Sequence, residues 1–271
     1  MKIWSKVFGN KIGIPLLLIS GANTNHKQWS TAYIDNFVEK GFYVICYDNR
    51  DFGKSTWKSN SFTLNDMAND ALSVLKQYNV NSANIVGCSM GGMVAQVLAA
   101  EYPEHVKTMT NIMSTPAVGI HDSVLSPPTT KWIRSYEQSL DYNKKKQYEK
   151  AIVLLRQAQE GSKFKSSLDT HKKYAKSIIE QGYNPNSRHG MAIVSSPGRK
   201  ETVKKISAPS FIIHGDEDPL LPLDHGLFLV NNIPKSKMKI LKGVGHELPD
   251  ELANEIVGDI ANFLTINEIS L

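Results

Sequence analysis

Cysteine is scarce in this chain. Only Cys46 and Cys88 occur among 271 residues, each at the end of a predicted strand. That excludes a disulfide framework, and both read as small buried hydrophobes of a reduced compartment. Cysteines and histidines nowhere cluster at ligand spacing, so no metal site is expected. Apolar runs long enough to span a membrane are also missing. The first apolar run, Ile14 to Ile19, is short and carries Gly13 and Pro15 at its start, a poor fit to a secretory leader. The expectation is a soluble, cytoplasmic protein with no membrane span. Internal repeats and low-complexity tracts are absent, which excludes solenoids and disordered arrays.

What is present describes an ordinary globular protein, with 41% hydrophobic and 21% charged residues. The length suits one large domain or one domain carrying an insertion, with a core that needs no covalent staples. The net charge is +5, and its distribution says more than its size. Residues 129 to 182 hold ten Lys and two Arg against six Asp and Glu. Nucleic-acid binding is the sharp reading of such a segment. These lysines alternate with acids at helical spacing, however, and no nucleic-acid motif accompanies them. A solvated helix face is the better reading, and no nucleic-acid partner is expected.

The segments "PLLLIS", "FYVICYD", "ANIVGCS" and "VKTMTNIM" are compact, apolar and without strict alternation, as strands buried on both faces of a parallel sheet are. Helical stretches fall between them at 29–40, 62–79 and 89–102. The second opens with Thr63 as a cap and Asp66 in its first turn. Such alternation predicts a doubly wound, mostly parallel α/β sheet. The rhythm stops near Ser114 and resumes near Pro197 with "APSFIIHG", a helix near 224–232, "KMKILKG" and a last helix over 249–265. The reading is a core of residues 1–114 and 196–271 with a helical insertion over 115–195. A single strand-like segment, "KIWSKVF", precedes "PLLLIS".

In "NIVGCSMGGMVAQ" the sequence G-x-S-x-G falls where a strand gives way to a helix. A serine there must take a strained, sharply turned conformation that lifts its hydroxyl clear of the sheet, and small neighbours keep the turn open. The helix start also aims free N–H groups at whatever the serine attacks, Met90 first among them. Ser89 is therefore the candidate nucleophile. A serine needs a base, and the base an orienting carboxylate, in the chain order Ser, acid, His for such an elbow. "FIIHGDEDPLLP" offers Asp216, Glu217 and Asp218 after a strand, and "KILKGVGHELPDE" offers His246 in a glycine-rich loop after another. All would meet at the carboxyl edge of the sheet, where open α/β folds place their sites. His214 reads as a core residue, and His225, His105 and His26 lack the strand–loop context.

"LLLISGAN", "YDNRDFGKS", "VGCSMGG", "GDEDPLLP" and "GVGH", in that order, resemble the serine hydrolases of the α/β-hydrolase superfamily. "SGAN" and "RDFGKS" are similar to the esterase group that includes aclacinomycin methylesterase. The resemblance implies the α/β-hydrolase fold and selects Asp218 as the acid, leaving Asp216 as a turn residue. It puts the oxyanion hole at the N–H groups of Ala22 and Met90, although Ser20 stands where relatives commonly carry His. Asp51 stands where the family has Gly, and Arg50 is expected to pin loops. Residues 115–195 would form a lid. Among Trp132, Tyr136, Tyr148, Phe164, Tyr174, Tyr183 and Met191, a majority should dock the lid onto the core rather than line a pocket. The resemblance implies a serine hydrolase acting on a small-to-medium carboxylic ester, with a small-molecule substrate as its partner and no cofactor. The same triad could serve C–C bond hydrolysis or perhydrolysis, and the fold could serve a non-catalytic receptor. Dehalogenases and epoxide hydrolases use Asp where this chain has Ser89.

Overall fold

In the computed structural model, which describes residues 1–57, 60–117 and 124–268, the apolar runs form one seven-stranded sheet. Its strands are β1 (Ser5–Phe8), β2 (Ile14–Ile19), β3 (Phe42–Tyr47), β4 (Ala83–Cys88), β5 (Val106–Ile112), β6 (Ser210–Gly215) and β7 (Ser236–Leu241). Their order across the sheet is β1-β3-β2-β4-β5-β6-β7. Only β1 is antiparallel, pairing Ser5 with Tyr47 and Phe8 with Val44; every other neighbouring pair is parallel. A single strand thus precedes β2, as the sequence implies. Among the described residues the α-helices are α1 (Thr31–Glu39), α2 (Leu64–Gln77), α3 (Met90–Glu101), α4 (Thr130–Lys144), α5 (Tyr148–Gln159), α6 (Leu168–Gly182), α7 (His189–Ser195), α8 (Leu223–Asn232) and α9 (Ala253–Glu268).

The strands lack alternation because both faces are covered. Leu17 and Ile19 of β2 enter a cluster shared with α2, α3 and α8, while Leu16 and Leu18 enter a second cluster with α1 and α9. Each such side chain, fully buried, contributes about 1.5–3 kcal/mol. Helix α2 starts where its sequence says: Thr63 Oγ1 accepts from the Asp66 N–H at 3.3 Å and Asp66 Oδ2 accepts from the Thr63 N–H at 2.8 Å. The chain leaves β2 toward β3 on one side and leaves β4 toward β5 on the other. The loops after β2 and β4 therefore diverge and open a crevice at the carboxyl edge.

Helices α4 to α7 lie between β5 and β6; residues 118–123, at the start of the expected insertion, lie outside the described residues. Ile152, Val153, Ala175 and Ile178 form a small cluster around Phe52 of the core. Tyr183 meets Phe52 edge-on, Tyr148 packs on Tyr183, and Trp132 stacks on Tyr136. Phe164 packs against the cluster of α1 and α9, whereas Met191 is 64% exposed. The lysines of α4 to α6 are exposed, and Lys144 and Lys176 pair with Asp141 and Glu180 on their own helices. Among the described residues no helix is long and apolar enough to cross a membrane.

Candidate active site

Strand β4 ends at Cys88 and α3 begins at Met90, so Ser89 alone makes the corner. Its backbone stands at φ 55°, ψ −121°, a conformation that costs a residue with a side chain about 1–3 kcal/mol. Surrounding bonds hold it there. The Ser89 N–H donates to Ile112 O at 2.8 Å, and Ser114 Oγ donates to Ser89 O at 2.7 Å. Gly91 is required by proximity: a Cβ there would lie 2.1 Å from the carbonyl oxygen of Ile19. Ser89 is the N-cap of α3 yet makes no side-chain cap bond. Its hydroxyl turns to His246 instead.

His246 Nε2 lies 3.0 Å from Ser89 Oγ, and His246 Nδ1 lies 2.6 Å from Asp218 Oδ2. The three residues follow β4, β6 and β7, and the parallel sheet brings all three to one edge. Asp218 Oδ1 accepts from the N–H groups of Leu220 at 2.9 Å and Leu221 at 2.8 Å. Burial would raise the pKa of this carboxyl, but the charge and hydrogen bond of His246, with help from His214 and Leu221, bring it below the usual value. An ionised Asp218 fixes the proton on Nδ1 of His246 and leaves Nε2 to accept from the Ser89 hydroxyl. His214 is buried as expected, but it also backs the acid: its Nε2 donates to Leu221 O at 2.7 Å and lies 3.5 Å from Asp218 Oδ2. Burial lowers its pKa, against the opposing pull of Asp218 and Leu221 O. Burial and the nearby Asp218 push the Cys88 thiol up to about 12, so its sulfur stays protonated.

The turn after β2 lies against the elbow, since a Cβ on Gly21 would stand 3.2 Å from the Ser89 Cβ. It is clamped on both sides of Ala22. The Gly21 N–H donates to Gln28 Oε1 at 2.7 Å, and Gln28 Nε2 donates to Cys88 Sγ at 3.3 Å. The Asn23 N–H donates to His189 Nδ1 at 3.0 Å, and His189 Nε2 donates to Arg50 O at 2.7 Å. Burial depresses the His189 pKa to about 4, so this neutral tautomer persists at ordinary pH. Met90 opens α3, where first-turn N–H groups have no partner inside the helix. The buried Ser20 hydroxyl has no hydrogen-bond partner among the described residues.

The other candidates lie elsewhere or do other work. Asp216 accepts from the Gly243 N–H at 2.7 Å and pairs with Lys242 at 3.1 Å, as a turn residue does. His26 bonds Asp48 at 2.8 Å, His225 bonds Thr115 and Ser126, and His105 bonds Asn81 O near the surface. Arg50 grips Asp70 through Nε at 2.5 Å and Nη2 at 2.8 Å, pinning its loop to α2. Asp51, at φ 66°, uses the carboxylate that a glycine would lack. It accepts from the Arg188 N–H at 2.7 Å and from Asn184 Nδ2 at 3.2 Å, tying the end of the helical insertion to the core.

Comparison with known proteins finds relatives over most of the chain. Residues 14–251 match the model of the alpha/beta hydrolase fold family. The chain is 26% identical over 266 residues to rhodomycin D methylesterase of Streptomyces peucetius, covering 91% of this chain and 89% of the relative. It is 24% identical over 264 residues to a 2-hydroxy-6-oxononadienedioate/2-hydroxy-6-oxononatrienedioate hydrolase of Burkholderia vietnamiensis, covering 92% and 86%. Among solved structures, an esterase of Exiguobacterium antarcticum superposes with a TM-score of 0.82 at 17% identity, covering 97% of this chain and 95% of that one. The family match takes in β2 to β7, every strand but the edge strand β1, and the chain belongs to the alpha/beta hydrolase fold family.

Proposed function

We propose that the protein is a serine hydrolase that cleaves a small-to-medium carboxylic ester through an acyl-enzyme on Ser89. The observation that carries this reading is the continuous relay from Ser89 Oγ through His246 to Asp218, at 3.0 Å and 2.6 Å. His246 Nε2 takes the hydroxyl proton as Ser89 Oγ bonds to the ester carbonyl carbon. The carbonyl oxygen becomes an oxyanion held by the N–H groups of Ala22 and Met90, and one such donor contributes about 2.7–4 kcal/mol. Collapse breaks the bond to the alkoxy oxygen, which leaves as the alcohol with the proton from His246. Water then repeats the sequence on the acyl carbon, with His246 as base, and releases the acid and Ser89. Asp218 keeps the ring in the needed tautomer and offsets its transient charge.

Helices α4 to α7 serve as a lid in this reading. Support comes from their bonds to two loops at the carboxyl edge, after β2 and after β7: Tyr174 OH with Thr24 Oγ1 at 3.0 Å, and Gln159 O with the His246 N–H at 2.7 Å. The similarity to a methylesterase supports an ester as substrate. C–C bond hydrolysis is the second reading, because a 2-hydroxy-6-oxononadienedioate hydrolase is similar over nearly the same length. Rates on p-nitrophenyl esters of increasing chain length, set against a vinylogous diketone acid, decide between them. Faster turnover of the diketone would overturn the ester assignment.

A further inference from the structure

We propose that the connector between α5 and α6, residues 159–163, positions the candidate catalytic centre and acts on His246 through Glu247. The inference rests on the serine-hydrolase reading of Ser89, Asp218 and His246. Four points along five residues join the connector to both loops of the relay. Gln159 O accepts from the His246 N–H at 2.7 Å, and the Lys163 N–H donates to Gly243 O at 3.0 Å. Ser162 donates its N–H at 2.6 Å and its hydroxyl at 2.8 Å to Glu217, the neighbour of Asp218. Glu247 Oε1 accepts from the N–H groups of Gly161 and Gly245, both at 3.2 Å. The backbones approach too closely for any side chain. A Cβ on Gly245 would lie 2.0 Å from Gln159 O, and one on Gly161 would lie 2.3 Å from Gly243 O.

Glu247 is the unexpected member. It is 5% exposed, and its Oε2 has no hydrogen-bond partner among the described residues. A buried carboxylate left half satisfied is destabilising, and an apolar or amide side chain would fill the space at lower cost. Arg156 of α5 and the ring of His246 favour its ionised form, and Tyr33 of α1 faces it from the core. Burial nevertheless pushes its pKa up to about 7. The charge gives Oε1 the strength to hold two N–H groups at once, one on the connector and one on the peptide before His246. That peptide sets where the ring stands. The ring must meet Ser89 and Asp218 together, and a misplacement of about 1 Å costs on the order of a hundredfold in rate.

Glu247→Gln keeps the shape and one acceptor but removes the charge. On p-nitrophenyl acetate kcat should fall about tenfold with KM within about twofold, since the ring is displaced and the pocket is not. Protonated Glu247 is as neutral as Gln, so the roughly tenfold difference in kcat between wild type and variant should be full at pH 8 and shrink toward one at pH 5, below the Glu247 pKa of about 7. Ser162→Ala, at the exposed end of the contact, should lower kcat about threefold, and it carries the test if the first variant fails to fold. NMR of the His246 ring nitrogens reads the positioning without turnover, and the resonances should shift or broaden in each variant that folds. Ring resonances identical to wild type overturn the inference, as does a kcat at pH 8 equal to wild type. A wild-type Ser89 that no fluorophosphonate labels, with shifted ring resonances in the variants, overturns the hydrolase reading instead.

Discussion

Replacing Asp218 by Asn removes one charge and adds one misplaced donor, and the surrounding bonds dictate which way the amide must face. Two main-chain donors, the N–H groups of Leu220 and Leu221, converge on Oδ1 at 2.9 Å and 2.8 Å. The amide oxygen must stay there, because an amide nitrogen would present hydrogens to both. The amide nitrogen is then forced into the Oδ2 position, 2.6 Å from His246 Nδ1 in the wild type. It can only donate, so Nδ1 must accept and the ring proton moves to Nε2. A ring protonated at Nε2 cannot take the Ser89 proton. The expected loss in kcat is about 10⁴-fold, or about 5.4 kcal/mol at roughly 1.36 kcal/mol per tenfold. The fold should survive, since the buried acceptor for Leu220 and Leu221 remains. Stopped-flow release of p-nitrophenol gives the rate, and ring-nitrogen NMR gives the tautomer. A loss smaller than about tenfold with the tautomer unchanged would refute the reasoning.

Gly91→Ala would drive a Cβ to within 2.1 Å of Ile19 O and 2.8 Å of Ser20 O, both main-chain atoms. A stability loss of about 3 kcal/mol is expected from urea midpoints, and a loss under about 1 kcal/mol would show that the elbow yields. His189→Leu removes the acceptor for the Asn23 N–H and the donor to Arg50 O. The oxyanion turn should loosen, with kcat falling about tenfold or more while KM holds; an equal fall in affinity would point to the pocket instead. Glu247 has a raised pKa, from the ordinary 4.5 to about 7, so the folded protein keeps a proton that the unfolded chain releases. Its burial therefore removes stability as pH rises from 4.5 to about 7, by up to about 3 kcal/mol. Relative to wild type, Glu247→Gln should gain stability at pH 8 and gain little at pH 4.5, read from urea curves at both; a difference independent of pH would contradict the cause given.

Local signals explain why much of this was legible in the sequence. Apolar runs without alternation marked strands covered on both faces, and β2 shows why, with Leu16 and Leu18 facing one layer and Leu17 and Ile19 the other. Glycines around Ser89 marked a corner because Gly91 has no room for a side chain. Ser89, the carboxylates at 216–218 and His246 could be read because each follows a strand and a parallel sheet brings strand ends to one edge, whereas the family resemblance singled out Asp218 among the three. What stayed hidden depends on contacts distant in the chain. Glu247 meets Gly161 across 86 positions, and Gln181 of α6 bonds Asp48 across 133. No periodicity gives the angle at which α4 to α7 dock. His214 was legible as buried, but not as the residue behind Asp218, because that contact depends on the turn from Pro219 to Leu221 folding back. Gln28 lies only seven positions after Gly21, yet a glutamine before a helix carries no distinguishing pattern.

Exposure of the protein to a fluorophosphonate, followed by peptide mass spectrometry, tests the role of Ser89 most directly. One phosphonyl adduct on Ser89 is expected, lost in Ser89→Ala and strongly slowed in His246→Ala. An adduct on another residue, or equal labelling of Ser89→Ala, would contradict it.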